Sequence, residues 1–393
     1  YTLDPEFYES TLKPAGIDDG DIDDMHRYNG WYATSNFVAD SKFEKEAKNN
    51  QGKRPLIGEE FSTGYPDLDT GLPALRYTRD LLTPQAWVGV YAYPGHDPMI
   101  WLTHHAIVTK RWAEQLRYQR GHTTAGFALF SSECWYSHSY DPARMKPYPV
   151  YDAVKFACAP IGLALESPQR RFYGGRTSKL NIAVTNDDEQ FRDLSNLKRA
   201  AEREEAHTKR ISETIAEADI PSLAYYASIS LPMEFKFPAV AARTHDILRL
   251  VLRSNDNTIS TTEDAIDVFP PAAAPASPPS NVIVIAKGQP LAGLAQSGAI
   301  RAKIEAGATA IVFSPSKEIV ALFPKDLLDV KGDAAKPEFV EFADWQPAAG
   351  TRLTQNLEPM DLKWWARKND DRAFIASTSH RLAPGGSARV LLR

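Results

Sequence analysis

The chain is poor in the features that would assign it to several large functional classes. It has two cysteines in 393 residues, Cys134 and Cys158. That is too few for a disulfide framework, and no Cys/His pair has zinc-site spacing, so both are read as structural thiols. No stretch approaches twenty consecutive apolar residues, so no transmembrane helix is predicted. The N-terminal YTLDPEFYES lacks the basic start and apolar stretch of a signal peptide. The expectation is a cytoplasmic protein, or a periplasmic or extracellular one whose signal lies outside these residues. Charge of neither sign dominates: 45 basic residues stand against 50 acidic ones, with no long run of either. Such a surface is not prepared for phosphate backbones or anionic lipid, so nucleic acid and membrane are not expected partners. The segment KGQPLAGLAQSG (287–298) has neither Walker spacing nor GxGxxG and reads as an ordinary strand-to-helix turn. DDGDIDD (18–24) lacks the spacing of a calcium loop and reads as a solvated turn. No cofactor and no metal is called for.

What the chain does have is length for two or three domains and a changing texture. Aromatic residues make up 10% of it and gather in the first 160 or so residues as YNGWY, YAYPGHDP and ECWYSHSY. Sugar-binding clefts use such side chains, because pyranose faces stack on them while polar neighbours take the hydroxyls. Aromatic core and surface loops remain the competing reading of each cluster alone. The opening segment alternates short apolar runs with helical stretches, a β/α rhythm. PLIGEEF (55–61) is predicted as a buried strand ending in carboxylates. Residues 97–121 open with Asp-Pro and carry Trp101, Val108, Trp112 and Leu116 on one face, which predicts an amphipathic helix closed by Gly121. AGFALFSSECW (125–135) is predicted as a strand, and PVYDAVKFACAPI (149–161) as a helix stopped by Pro160. From about 162, period-two segments separated by turns predict an antiparallel sandwich. Within it, 197–217 is rich in helix formers; propensity favours helix and context favours strand, so both stay open. FPPAAAPASPPS (269–280) has the composition of a stiff linker. Beyond it, NVIVIAKG, a helical pattern and ATAIVFSPS predict a strand–helix–strand unit of a parallel sheet.

Two motifs then stand in order: Tyr28, Trp31 and Tyr32 in DIDDMHRYNGWY (21–32), and Pro55, Glu60 and Phe61 in RPLIGEEFSTGYPD (54–67). Here the chain resembles the family 2 glycoside hydrolases, which include β-galactosidases, β-glucuronidases and β-mannosidases. In that family a Tyr-x-x-Trp-Tyr strand shortly precedes a strand of the form Pro, four residues, Glu, aromatic. The resemblance continues through ECWYSHSYDPARMKPYPVYDAVKFACAPIGLALE and covers about 1–270. It implies a multidomain architecture: the C-terminal part of a catalytic (β/α)8 TIM barrel (1–160), an immunoglobulin-like β-sandwich (161–269), a Pro/Ala-rich linker (270–280), a small α/β domain (281–375) and the start of a further β element (376–393). It also implies that Glu60 is the catalytic nucleophile of a retaining, exo-acting β-glycosidase, β-galactosidase-like, working through a covalent glycosyl-enzyme.

Strand geometry agrees with that role. Catalytic groups of such barrels project from the C-terminal ends of strands. Neighbouring residues point to opposite sides, so only one of Glu59 and Glu60 can face the cleft; Glu59 is then a solvated or ion-paired neighbour. Tyr28 would suit a hydrogen bond that keeps the nucleophile oriented and anionic. His26, Trp31 and Trp135 complete the candidate substrate-binding set, with a structural hydrogen bond competing for His26 and core packing for Trp135. His104 and His105, inside the predicted helix, read as scaffold. The acid/base Glu of the family follows an Asn upstream of the Tyr-x-x-Trp-Tyr strand, and no Asn-Glu pair lies upstream of Tyr28. That carboxyl, the earlier barrel strands and the N-terminal sugar-binding domains are therefore expected in an N-terminal portion of the same enzyme, and the polypeptide by itself is expected to be inactive. Expected partners are an oligosaccharide substrate, that N-terminal portion and, by analogy with the family, further copies of the chain in a homo-oligomer. The rival reading is a non-catalytic carbohydrate-binding or structural protein with a degenerate barrel. A nucleotide-binding C-terminal α/β domain is a third reading, without phosphate-loop chemistry to support it.

Overall fold

The structure is a computed structural model of the chain and describes residues 11, 14–16, 21–28, 54–62, 66–72, 97–120, 125–167, 169–206, 211–271, 279–285, 297–312, 328–331, 358 and 381–384. Strand predominates over helix among them. The chain divides into two compact units, one of Tyr1–Ala272 with Ala366–Arg372, the other of Ala273–Trp365 with Ala373–Arg393.

The first unit begins with three parallel strands in sequential order: β1 (Asp23–Tyr28), β2 (Leu56–Ser62) and β3 (Gly126–Leu129). Helix α1 (Pro98–Tyr118) returns the chain from β2 to β3. Asp97 caps it by accepting from the Met99 N–H at 2.9 Å, and Pro98 occupies the first turn, where its missing N–H is not needed. Leu56 packs on Trp112 and Leu116 of α1, flanked by Phe127 and Leu129. Strand β3 is shorter than its sequence suggests: at Ser132–Trp135 the backbone tightens into one 3-10 turn. Two short paired strands follow, β4 (Tyr136–Ser137) and β5 (Lys146–Pro147). Helix α2 (Pro149–Ala157) then buries Val150, Ala153, Val154 and Ala157 and is capped at Cys158, with Pro160 just beyond.

The rest of the unit is two sheets packed face to face. The three-stranded sheet has the order β11 (Ser228–Lys236), β8 (Thr177–Asn186), β6 (Ile161–Leu165). The five-stranded sheet runs β10 (Ile211–Ile220), β9 (Leu197–Glu205), β12 (Thr244–Ser254), β13 (Asn257–Phe269), β7 (Arg171–Tyr173). Pairing is antiparallel except between β13 and β7. Period-two apolar residues build the core: Leu180, Ile182 and Val184 from one sheet meet Leu248, Leu250 and Leu252 from the other. Phe172 and Phe237 stack inside at 4.2 Å.

The ambiguous segment 197–217 forms strands β9 and β10. Helical i,i+4 pairs would stabilise it by only about 0.2–0.5 kcal/mol each. As strands it instead buries Leu197, Ala201, Ile215 and Ile220 in the core. Its charges find partners across the sheet, Glu202 with Arg253 at 2.9 Å and Arg203 with Asp246 at 2.8 Å. Irregularities near Glu213 and Ala216 break the alternation that would have marked β10 as a strand.

The polar side of α1 is not solvated, contrary to the amphipathic reading. Lys110, Arg111 and Glu114 are buried and meet Asp264 of β13: Lys110 Nζ lies 2.9 Å from Asp264 Oδ1, Arg111 Nη2 2.9 Å from Oδ2, and Glu114 lies 3.1 Å from both cations. At the far end of the helix, Arg117 and Arg120 both hold Asp187. Gly162 permits this fit, since a Cβ there would fall 2.3 Å from Thr185 Oγ1 and 3.0 Å from Arg117 Nη1.

In the second unit, β14 (Val282–Ile285) and β15 (Thr309–Val312) pair in parallel, with α3 (Ser297–Glu305) between them in sequence. Strands β16 (Leu328–Lys331) and β17 (Arg381–Pro384) pair antiparallel. Most of 269–280 and of 287–298, like Gly121, lies outside the described residues.

Candidate functional site

The register of the three parallel strands is set at their N-terminal ends, where the Asp23 N–H donates to Pro55 O at 3.0 Å and Arg54 lies 3.5 Å from the Asp23 carboxylate. An irregularity between Asp24 and His26 then shifts the ladder. As a result His26 is the register partner of Glu60, Tyr28 that of Ser62, and Phe61 that of Leu129. The backbone thus brings His26, Tyr28 and Glu60 together at the C-terminal ends of adjacent strands. For these three and Glu59 the backbone alone is described, and Trp31 and Tyr32 lie outside the described residues.

The loops that leave β2 and β3 are described in full side-chain detail over 66–72 and 130–148. Asp67 folds the first into a turn: its Oδ1 accepts from the Asp69 N–H at 3.1 Å and from the N–H and hydroxyl of Thr70 at 2.9 Å. The turn rests on the start of α1 at Gly71, which has φ +73° and where a Cβ would lie 3.1 Å from Leu102 Cδ1. Asp69 then joins the two loops. Its Oδ1 accepts from the Tyr140 hydroxyl and lies 2.8 Å from His138 Nδ1, while the His138 N–H donates to Leu68 O at 2.7 Å. Arg144 Nη2 lies 3.2 Å from His138 Nε2. A guanidinium can only donate, so Nε2 accepts and Nδ1 carries the proton given to Asp69.

Electrostatics follow from these bonds. Hydrogen bonds from Tyr140 and then His138 hold the Asp69 carboxyl below its ordinary value, and the same carboxylate pushes the Tyr140 phenol up. Burial pushes Tyr148 up to about 12, with Asp67 and Asp69 adding to it. The arrangement pins a carboxylate in its ionised form and occupies both ring nitrogens of His138. It can fix the two loops and present polar groups to a ligand.

Trp135 lies at the end of the turn after β3. It is half-buried against the cluster of Ala106, Val150, Ala153 and Val154, and its carbonyl accepts from the Tyr148 N–H at 2.7 Å. The apolar contact is thus the described surrounding of this side chain. His105 is 3% exposed, and burial takes its pKa down to about 3, so the imidazole is neutral; His104 has no described side chain. Both cysteines are free thiols. Among the described residues no group of three or more His, Cys, Asp or Glu side chains is placed to hold a metal ion, and no helix is long and apolar enough to cross a membrane.

The cluster of Asp69, His138, Tyr140 and Arg144 was not singled out by sequence reasoning. The signal available was the His and Tyr inside ECWYSHSY, already conspicuous for its aromatics. Their partner Asp69 sits in a turn-rich loop 69 and 71 residues earlier, a pairing that spacing cannot disclose.

No family model matches the chain, and no curated protein does. Among solved structures it is similar to the sporulation control protein Spo0M from Bacillus subtilis, with 11% identity and a TM-score of 0.20 over 29% of this chain and 49% of that one. It is also similar to a β-glucuronidase from glycoside hydrolase family 2, with 8% identity and a TM-score of 0.19 over 27% of this chain and 11% of that one. A β-glucosidase from Listeria innocua shows 11% identity and a TM-score of 0.21 over 29% of this chain and 16% of that one. The chain spans about half of the first of these and a small fraction of the two glycosidases. The functions differ among the three, and likenesses at this level assign no chemistry to this chain.

Proposed function

We propose that the chain is part of a retaining exo-acting glycoside hydrolase, β-galactosidase-like, in which Glu60 is the nucleophile that forms a covalent glycosyl-enzyme. The observation that carries this reading is the register of β1 on β2, which sets the strand ending in Tyr28 beside the strand bearing Glu60, with Glu60 level with His26. Parallel strands in sequential order, with a helix between the second and the third, suit consecutive strands of a (β/α)8 barrel, whose chemistry sits at the C-terminal strand ends. In this proposal residues 1–160 are the end of such a barrel, 161–269 an immunoglobulin-like sandwich and 281–375 a small α/β domain. Tyr28 orients the carboxylate, while His26, Trp31 and Trp135 contribute to sugar binding. The loops tied by Asp69 and His138 form a wall of the cleft.

Retention requires a second carboxyl about 5–5.5 Å from the first, acting as acid and then as base. The proposal places it in an N-terminal portion of the same enzyme. The test is to treat the complete protein with a 2-deoxy-2-fluoro β-glycoside and sequence the labelled peptide. Attachment at Glu60 within RPLIGEEF supports the reading. Attachment elsewhere removes the assignment, and complete absence of turnover and labelling across a panel of aryl β-glycosides favours a binding protein with a degenerate barrel.

A further inference from the structure

One end of the sandwich holds three aromatic rings in the open. Phe191, in the connection from β8 to β9, is 71% exposed, and Tyr226 and Tyr225, in the connection from β10 to β11, are 56% and 37% exposed. Phe191 meets Tyr225 edge-on at 5.1 Å, Tyr225 meets Tyr226 at 6.1 Å, and the Arg120 guanidinium lies 4.8 Å over the Tyr226 ring. Both Phe191 and Tyr226 have φ of +59°, a region that bulky side chains seldom enter.

Hydrogen bonds hold the turns that carry the rings. The Asp188 carboxylate accepts from the backbone N–H groups of Gln190 and Arg192 at 3.2 and 3.1 Å and from the Arg192 guanidinium at 2.9 Å. The Tyr225 N–H donates to Asp193 Oδ1 at 2.8 Å, and the Tyr226 N–H to Asn186 O at 2.8 Å. A backbone fixed in this way presents the rings from ordered turns, which lowers the entropy lost on binding.

The two connections are joined by Leu194 and Leu223, which exchange both backbone hydrogen bonds at 2.9 Å in an antiparallel bridge. The three aromatics lie on one side of that bridge. On the other side a groove of about 550 Å³ opens, lined by Asn196, Lys198, Asp219, Ser222, Asn255 and Asp256 among others. Lys198 is already paired with Glu217 at 3.3 Å. The lining therefore offers the Ser222 hydroxyl, the amides of Asn196 and Asn255, of which the first donates to the second at 2.8 Å, and the carboxylates of Asp219 and Asp256, and its balance is acidic.

We propose that this end of the sandwich is a binding site for a neutral oligosaccharide. Sugar faces stack on Phe191, Tyr225 and Tyr226, and hydroxyls are taken by the polar groups of the groove. The carboxylates disfavour uronic or sulfated chains, which separates the ligand by charge. The site uses none of the residues at the ends of β1, β2 and β3 and stands whether or not Glu60 is a nucleophile.

The test is native affinity electrophoresis of the 393-residue chain in gels containing β-1,4-galactan, galactomannan, mixed-linkage β-glucan or polygalacturonate. At least one neutral polymer is expected to retard the chain and polygalacturonate is not. Phe191→Ala with Tyr226→Ala should weaken the retardation about tenfold or more, and Tyr173→Ala, which removes an exposed aromatic of β7, should leave it unchanged. Because the double variant could disturb the turns, hydrogen exchange on the wild-type chain gives an independent readout: the matching oligosaccharide should protect residues 187–196 and 221–227. The proposal is overturned if no neutral polymer retards the chain, if polygalacturonate is preferred, if protection appears elsewhere, or if a properly folded double variant binds as the wild type does. It is also overturned if sedimentation shows a dimer that the double variant dissociates, for then a second copy of the chain covers the rings.

Discussion

Arg111 Nη2 lies 2.9 Å from Asp264 Oδ2, across 153 positions of sequence, and both side chains are buried. Burial alone would raise the Asp264 carboxyl, but the charges of Arg111, Lys110 and Arg170 overcome it and hold the group well below the usual carboxylate range. Burial and the neighbouring Arg111 in turn lower Arg170 to about 10. Asp264→Asn would leave three buried cations facing Glu114 alone. The expected loss is about 3–5 kcal/mol, the usual result of removing one partner of a buried ion pair, read from the urea midpoint. The pH dependence has a definite sign. A carboxyl whose folded pKa is depressed stabilises the fold above its unfolded value, about 3.9, and that contribution fades as pH falls toward the folded value. Wild-type stability should therefore drop on acidification below about pH 4 more steeply than that of Asp264→Asn. A variant as stable as the wild type at neutral pH would show that the cluster does not hold the helix to the sandwich.

A second prediction concerns close backbone approach. At Gly174 an added Cβ would lie 2.4 Å from Pro238 O and 3.0 Å from Val240 N, and these backbone atoms cannot swing aside as a flexible side chain would. Gly174→Ala should destabilise the fold by about 1–3 kcal/mol, as overpacking does. Gly126→Ala is the control, since nothing lies within 4 Å of the Cβ it would add. Thermal unfolding of the two variants should differ in that order; equal melting temperatures would contradict the packing around Gly174.

The loop cluster makes a spectroscopic prediction. The Tyr140 phenol is raised by its hydrogen bond to Asp69, so neutralising that partner in Asp69→Asn should return the phenol toward its ordinary value. NMR titration with the Tyr140→Phe variant for assignment would follow it. The group is exposed, so the melting temperature should hardly move. A phenol that titrates identically in both proteins would mean that Asp69 and Tyr140 are not bonded.

The elements that could be read in the sequence were those with local causes. Helix α1 has an Asp cap, a Pro start and spaced aromatics, and helix α2 has a Pro at each side; both lie close to where the pattern puts them. Strands β8 and β12 show plain alternation. What could not be read depends on partners far away in the chain. The charged face of α1 looks solvent-facing until Asp264 is brought against it. Strands β9 and β10 look helical because their charges are satisfied across a sheet that a local window does not contain. For the site, the order of two motifs was legible, and so was the place of Glu60 on a strand. The bulge that sets His26 level with Glu60 and the bond from Asp69 to His138 were not, since each depends on backbone geometry or contact rather than spacing.

The last prediction follows from that register. Glu60 is level with His26 on β1, and Glu59 is its neighbour on β2. If Glu60 is the nucleophile, Glu60→Gln in the complete protein should keep the wild-type circular dichroism while kcat/KM on an aryl β-glycoside falls by roughly 10³-fold or more, because no covalent intermediate can form. Glu59→Gln should stay within about tenfold, having lost at most a neighbouring charge. Added azide should restore turnover in Glu60→Ala by attacking from the face that the carboxylate has vacated, giving a glycosyl azide of inverted configuration. Tyr28→Phe offers an intermediate case: a lost hydrogen bond to the carboxylate should raise the lower limb of the pH profile, since the anion is no longer favoured. Turnover that survives in Glu60→Gln but not in Glu59→Gln would exchange the roles of the two residues and shift the register argument by one position.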